Sequence, residues 1–292
     1  MKIFFHRSDL DGHCSGAIVK QKYPDAELIG VDYADRVDRK SITPGETVFV
    51  LDFCFPKDDM IWLNEEAMLY WCDHHKSSIE MMRDYNHDYL CDNIEGLRAI
   101  NLSGCELTWR VVHPAEASDM AIPWAVWALG RYDVWDHGAH TDILAFQYGM
   151  RENENTWPDS PIWSEYFSVK LDPRYPDEGL IWETVQNGKL ILGYEEKQNA
   201  KYAKSMSYEA EFHGLNAIVM NKPFANSLVF NSVYDPAKHD IMILFGVKDL
   251  SSEFKYTLFC DKPDIDVSEI AIKHGGGGHK GAAGFYSKER VV

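Results

Sequence analysis

Three short stretches carry side chains of the kind that do chemistry. HRSDLDG supplies His6, Asp9 and Asp11, a solitary Asp52 follows VFVL, and LYWC runs into Asp73, His74 and His75. Carboxylates gathered in one place repel one another and are expensive to hold unless a cation neutralises them. Mixed Asp and His donors without thiolate suit Mn²⁺, Mg²⁺ or Fe²⁺, and a set rich in Asp favours hard ions over zinc. Ligands enough for two ions point to a two-metal site that clamps an in-line displacement at phosphorus. Singly, each stretch has a plainer reading: DLDG as an Asp-Gly turn, Asp52 as a cap, DHH as a helix start.

What joins them is the pattern of elements that must position them. KIFF (2–5), AELIGVDY (26–33), TVFVLDF (47–53) and MLYWCDHH (68–75) read as strands, with helical patterns at 12–23 and 58–67 between them. Such alternation predicts parallel strands joined by crossover helices. In an open parallel sheet, ligands bind beyond the carboxyl ends of the strands. Three strand ends therefore bring at least three carboxylates and two or three imidazoles to one edge of one sheet.

Further along, 100–140 is helical, with a prominent apolar run at 120–133, and the stretches 152–163 and 170–179 are Pro- and Asp-rich loops. Residues 179–214 form a mostly helical connector interrupted near Asn187-Gly188, after which 215–221, 240–249 and 254–261 read as strands and 267–275 as a helix. The fold class expected is α/β: an N-terminal parallel sheet with helices on both faces, a helical linker, and a smaller C-terminal α/β domain with a mixed sheet. The corresponding boundaries are 1–185, 186–212 and 213–292.

The C-terminal domain carries GGGGHKGAAGF (275–285). Consecutive glycines admit backbone conformations closed to other residues and let a chain approach a ligand. Their N–H groups can form an anion nest, to which His279 and Lys280 add donors. A Gly run alone also fits a flexible loop; beside an imidazole, a cation and two alanines it reads as a phosphate cradle.

Composition narrows the partners. With 29 basic and 46 acidic residues the formal net charge is −17, and no Lys/Arg run makes a basic groove, which argues against long duplex nucleic acid. Small phosphorylated ligands stay compatible. Six cysteines without a C-x-x-C pair suggest reduced, buried thiols rather than disulfides or a zinc site. No stretch approaches the ~20 apolar residues of a membrane span, and the polar turn after KIFF is unlike a secretory signal, so a cytoplasmic protein is expected. Trp109, Trp124, Trp127 and Trp135 sit in or beside helical apolar runs and read as core. Trp157 and Trp163, in loop-rich sequence, are candidates for stacking on a base.

HRSDLDG, the strand-end Asp52, DHH at 73–75 and GGGGHKGAAGF together resemble the DHH phosphoesterase superfamily, in the branch with the DHH-associated C-terminal domain, as in nanoRNase- or oligoribonuclease-like enzymes. The resemblance implies a hydrolase of phosphoester bonds working with two Mn²⁺ ions, with Mg²⁺ or Co²⁺ as substitutes. By that resemblance His6 and Asp9 are ligands of one ion, Asp11 and His74 of the second, and Asp52 bridges both. Asp133 is the fourth-motif ligand, with Asp136 as the alternative. His75 faces the substrate phosphate, and Asp73 orients the motif. Gly276, Gly277, Gly278, His279 and Lys280 bind substrate, and the catalytic set is Asp52, His75 and His279. Spacing around the first motif varies between branches of the superfamily, and His6 otherwise reads as a hydrogen bond to the strand end.

The implied substrates are short: oligonucleotides, linear or cyclic dinucleotides or adenosine bisphosphate, cut as a phosphodiester or phosphomonoester, with exonuclease action of either polarity open. Hydrolysis of small phosphates, as in the family II pyrophosphatases, and non-catalytic nucleotide binding are the alternatives. The sequence leaves both a monomer and a homo-oligomer open.

Overall fold

The structure is a computed structural model, and it describes residues 1–33, 35–83, 93–116, 121–138, 140–170, 179–248 and 253–292. The chain divides into two compact units, Met1–Ile191 and Leu192–Val292. Cys91 and most of the expected 170–179 loop lie outside the described residues.

The first unit is built on four parallel strands, β1 (Lys2–His6), β2 (Glu27–Val31), β3 (Thr47–Leu51) and β4 (Met68–Cys72), in the order β2-β1-β3-β4. The order reverses between β1 and β3, which opens the crevice where ligands bind in such sheets. Helices α1 (Leu10–Lys22), α2 (Lys57–Glu66), α3 (Lys76–Arg83) and α4 (Gly104–Val112) follow the strands. Alternation along each strand sends Phe4, Val48, Val50, Leu69 and Trp71 to one face, where they pack with Met60 and Leu63 of α2 and Ile79 and Met82 of α3. The opposite face meets α1 and α4. Helices α5 (Trp124–Asp133), α6 (Thr141–Glu152) and α7 (Ile162–Ser168) complete the unit. The expected α/β class with helices on both faces of a parallel sheet is borne out.

Helix α8 (Leu180–Met206) runs on without a break, contrary to the interruption expected at Asn187-Gly188. The glycine serves packing: a Cβ at Gly188 would lie 1.6 Å from the carbonyl oxygen of Ala145, so α6 and α8 meet there at backbone distance. The helix also ends earlier than expected. Ser207–Phe212, expected as the end of the helical connector, is strand β5, because its residues pair with β6 (Leu215–Asn221) across a tight turn.

The second unit holds a six-stranded sheet that adds β7 (Ile241–Lys248), β8 (Glu253–Phe259), β9 (Gly277–His279) and β10 (Ala282–Ser287), in the order β5-β6-β7-β8-β10-β9. Strands β6 and β7 are parallel and the other pairs antiparallel, so the sheet is mixed, as expected. Helix α9 (Val267–Lys273) packs on one face through Val267, Ile270 and Ala271.

Among the described residues Cys14, Cys54, Cys72, Cys105 and Cys260 are free, buried thiols. Trp109 and Trp124 are core residues, but Trp135 is 40% exposed, since its φ of 56° turns the chain just past the end of α5. Trp163, one of the two candidates for stacking, is 2% exposed. It lies in the first turn of α7 and packs on Tyr166 and Phe167, while Trp157, 39% exposed, lies edge-on to Phe5. No described helix is long and apolar enough to cross a membrane.

Candidate metal centre

The three motifs converge at the carboxyl edge of the four-stranded sheet. His6 is the last residue of β1, and Asp9 caps α1 by accepting from the Gly12 amide at 2.9 Å. DLDG is thus a helix start rather than a free turn. Gly12 is required there, because a Cβ would fall 2.0 Å from the His6 carbonyl oxygen. Asp11, in the first turn of α1, accepts from the Gly104 and Cys105 amides at 2.7 and 2.8 Å. It therefore also anchors the N-terminus of α4, where the helix dipole favours a negative charge. A capping box of Ser103 and Glu106 fixes that N-terminus, and the Arg131 guanidinium pairs with Glu106.

Asp52 leaves β3 with φ at 52°, a left-handed conformation that costs about 1–2 kcal/mol for most residues and is visited more readily by Asp. Its amide donates to the Cys72 carbonyl at 2.8 Å, which holds the strained residue against the end of β4. Asp73 accepts from the His74 and His75 amides, at 2.8 and 3.1 Å, and from His75 Nδ1 at 2.7 Å. The DHH motif is thereby folded around its own aspartate. Tyr33 meets the other ring nitrogen, with its hydroxyl 3.0 Å from His75 Nε2.

Distances inside the cluster are short. His6 Nδ1 lies 2.8 Å from Asp9 Oδ2 and 3.7 Å from Asp52 Oδ2. His74 Nε2 lies 3.2 Å from Asp52 Oδ1, 3.2 Å from Asp133 Oδ2 and 3.8 Å from Asp11 Oδ2. Three groups offer donor atoms within 4.8 Å of one another: His6–Asp9–Asp52, Asp52–His74–His75 and Asp11–His74–Asp133. Asp52 and His74 each belong to two groups. Asp136, the alternative to Asp133, instead pairs with Arg131 at 2.9 Å on the surface.

The electrostatics fit a cation. Asp52 is 1% exposed and its Oδ1 has no hydrogen-bond donor. Burial, then the Asp11 and Asp9 charges, push the Asp52 carboxyl well above the usual range, while the His6 and His75 imidazoles work the other way. Withdrawal from water and the Asp11 charge do the same to Asp133, against the His74 imidazole. Burial would lower His6, but Asp52 and Asp9 outweigh it and push that imidazole up to about 11. Acids driven toward neutrality beside a base driven toward charge describe a site with a cation's worth of negative potential.

Two residues escaped the sequence reading. Asp32 and Tyr33 follow β2, the remaining strand of the same edge. Asp32 Oδ1 lies 3.9 Å from His6 Nε2, and its other oxygen accepts from Ser8 at 2.7 Å. Tyr33 sets its ring edge-on to His6 with centroids 5.2 Å apart. The strand-end rule that singled out Asp52 applies equally to VDY.

In the second unit the glycine run is partly ordered as a strand rather than a loop, with Gly277 and His279 paired to Gly284 and Ala282 of β10. Gly276 is needed because a Cβ would lie 2.1 Å from the Gly284 carbonyl oxygen, and Gly278 adopts a φ of 140°. Lys280, expected to face a phosphate, donates to the Pro263 carbonyl at 2.5 Å.

No known family model matches the sequence, and no curated protein does. Solved structures do match. The DHH domain of a protein assigned to a family of ribosomal proteins aligns with 98% of this chain and 83% of its own, at 11% identity and a TM-score of 0.61. A pGpG-specific phosphodiesterase, PggH, from Vibrio cholerae aligns with 98% of this chain and 92% of its own, at 14% identity and a TM-score of 0.48. An exopolyphosphatase-related protein from Bacteroides fragilis aligns with 100% and 86%, at 12% identity and a TM-score of 0.48. The resemblance read from HRSDLDG and DHH is thus borne out in the fold: this chain shares the fold of that DHH domain.

Proposed function

We propose that the protein is a metal-dependent phosphoesterase that hydrolyses short oligonucleotides, dinucleotides or nucleotide phosphates. The observation that carries this reading is the chaining of three donor groups through Asp52 and His74, the arrangement expected where two ions share ligands. His6 and Asp9 would hold one ion and Asp11, His74 and Asp133 the other, with Asp52 between them. Hard oxygen donors with imidazole suit Mn²⁺, with Mg²⁺ or Co²⁺ as replacements. Bound there, the ions supply Lewis acidity and make a water nucleophilic near neutral pH.

The chain's own residues would do the rest. His75, oriented by Asp73 through Nδ1, would meet the substrate phosphoryl group from the metal side. Gly276, Gly277, Gly278, His279 and Lys280 would hold the distal phosphate, Lys280 after leaving Pro263. On this reading residues 1–185 are the catalytic domain, 186–212 the linker and 213–292 the substrate-binding domain. The acidic surface favours short substrates over long nucleic acid.

The test is Mn²⁺-dependent turnover on one panel: labelled RNAs of two to ten nucleotides, adenosine bisphosphate, cyclic dinucleotides and pyrophosphate, with Asp52→Asn as control. Mononucleotide release that is lost in the variant supports the reading. Full activity in Asp52→Asn refutes the shared-ligand assignment, and turnover of pyrophosphate alone moves the enzyme to small phosphates.

A further inference from the structure

The six-stranded sheet has one face that is only half covered. Pairing fixes three rows of side chains on it: Gly246–Lys255–Tyr286, Leu244–Thr257–Gly284–Gly277 and Met242–Phe259–Ala282–His279. Directly paired residues project to the same side. Over β6 and β7 this face is buried under Ala203 of α8 and under Val229 and Phe230. Over β8, β10 and β9 it is open, with Lys255, Thr257 and Gly284 half-buried and Ala282 and Tyr286 exposed.

Phe224 stands at the border of the open half. It is 85% exposed, more than any other large hydrophobic residue described. It is also held in the left-handed region, with φ at 59°, where a bulky side chain is an outlier. The turn that carries it is pressed onto β7, since a Cβ at Gly246 would lie 2.5 Å from Pro223 Cγ. That contact sets the Lys255 ammonium over one face of the Phe224 ring, with Nζ 5.0 Å from the ring centroid. An exposed ring with an ammonium over one face, at the border of a sheet face of small residues, suits a planar base carrying a phosphate.

We propose that this face is a nucleobase platform: a base of a short single-stranded oligonucleotide stacks on Phe224, and Lys255 pairs with the adjoining phosphate. Charge complementarity selects the occupant, because a phosphodiester is drawn to Lys255 while an apolar protein segment would leave that ammonium unpaired in the contact. The proposal rests on the reading of His279 as a phosphate-holding residue. Lys255 and the residue in the row of His279, Phe259, are four positions apart on β8, roughly 13 Å at ~3.3 Å per residue. His279 lies two strands further across at ~4.8 Å per strand, so Lys255 and His279 are roughly 16 Å apart. A chain of several nucleotides bridges the two points; pyrophosphate does not. The platform would thus be the feature that selects oligonucleotides over small phosphates.

The test uses the full-length, Mn²⁺-loaded protein and calorimetric titration with three probes: a tetra-adenylate with non-hydrolysable methylenephosphonate linkages, its analogue with abasic sugars throughout, and pyrophosphate. Phe224→Ala should weaken the tetra-adenylate by about 5- to 150-fold, the span of one lost base–aromatic stack. It should leave the other two probes unchanged, and Phe224→Trp should restore affinity. Equal affinity of the tetra-adenylate for wild type and Phe224→Ala, or of wild type for the tetra-adenylate and its abasic analogue, overturns the platform. The failures are separable. Hydrolysis without dependence on Phe224 removes the platform alone, whereas Phe224-dependent binding without any turnover removes the catalytic reading and leaves the platform standing.

Discussion

A methyl group added at Gly104 would stand 2.5 Å from the Asp52 Cβ and 2.8 Å from its Oδ1. Neither partner can retreat cheaply. Asp52 is buried and pinned by its amide to Cys72, and Gly104 opens a helix whose first two amides are donated to Asp11. In Gly104→Ala the start of α4 must move off the site, so Asp11 and Asp52 are disturbed together. Overpacking of this kind costs about 1–3 kcal/mol. For a unit of this size each kcal/mol is roughly 2–4 °C, so the melting temperature should drop by about 2–12 °C. Groups that orient metal ligands typically change affinity by about 10- to 100-fold, and a loss of that size is expected in Mn²⁺ titrations read by the paramagnetic resonance of the free ion. Gly193→Ala is the control. That glycine is inside α8 with nothing within 4 Å of the added methyl, and the change should stabilise by about 0.5–1 kcal/mol. If Gly104→Ala melts within a degree of wild type and binds Mn²⁺ equally, the coupling of α4 to both carboxylates is wrong.

Three further outcomes follow from the same geometry. Without metal, His6 is raised to about 11, so its contribution is full below the unfolded value near 6.5 and is lost as pH climbs toward 11. Asp52 and Asp133, also raised, remove stability as pH rises above about 3.8. The metal-free melting temperature should therefore fall between about pH 6.5 and 9.5, and saturating Mn²⁺ should flatten that slope; a level metal-free profile contradicts it. Arg131→Met leaves Glu106, 2% exposed, without its cation, and should destabilise by about 3–5 kcal/mol in a denaturant titration; a loss under about 1 kcal/mol would show the pair is dispensable. Trp163→Ala should cost about 3–5 kcal/mol and leave substrate KM unaltered, whereas a raised KM at unchanged stability would return Trp163 to a stacking role.

The four strands of the first sheet, β6, β7 and β8 of the second, and the donor-bearing strand ends were legible because their signals are local. Apolar runs such as TVFVL and MLYWC are bounded by charge or proline, and the side chains that matter sit at fixed offsets from their ends. Asp32 and Tyr33 were equally legible by that rule and were passed over because VDY was absorbed into a strand. The break expected at Asn187-Gly188 and the helix expected over Ser207–Phe212 failed for a different reason. The first was decided by a partner distant in sequence, the Ala145 carbonyl across from Gly188, and the second by antiparallel pairing with the very next strand, β6, across the His213-Gly214 turn. Trp163 and Trp157 have similar loop-like surroundings in the sequence, and tertiary packing alone sent the first into the core.

The site itself divides along the same line. Motifs give the identity of the donors, since a run such as DHH carries its own organising aspartate: Asp73 binds the two residues that follow it. They do not give the placement of those donors. Asp52 sits where it does because β4 holds its strained backbone and because residue 104, in a stretch with no chemical signature, lacks a side chain. Asp11 is oriented by the amides of that same helix end, which Ser103 and Glu106 cap and Arg131 braces. Arg131 precedes Asp133 by two residues on α5, so one helix both supplies a carboxylate to His74 and steadies the helix that aims Asp11 at it. A chain could therefore keep every motif residue and still lose the centre through a change at Gly104 or Arg131. Metal affinity in such variants, rather than the presence of the motifs, is what would report whether the site is intact.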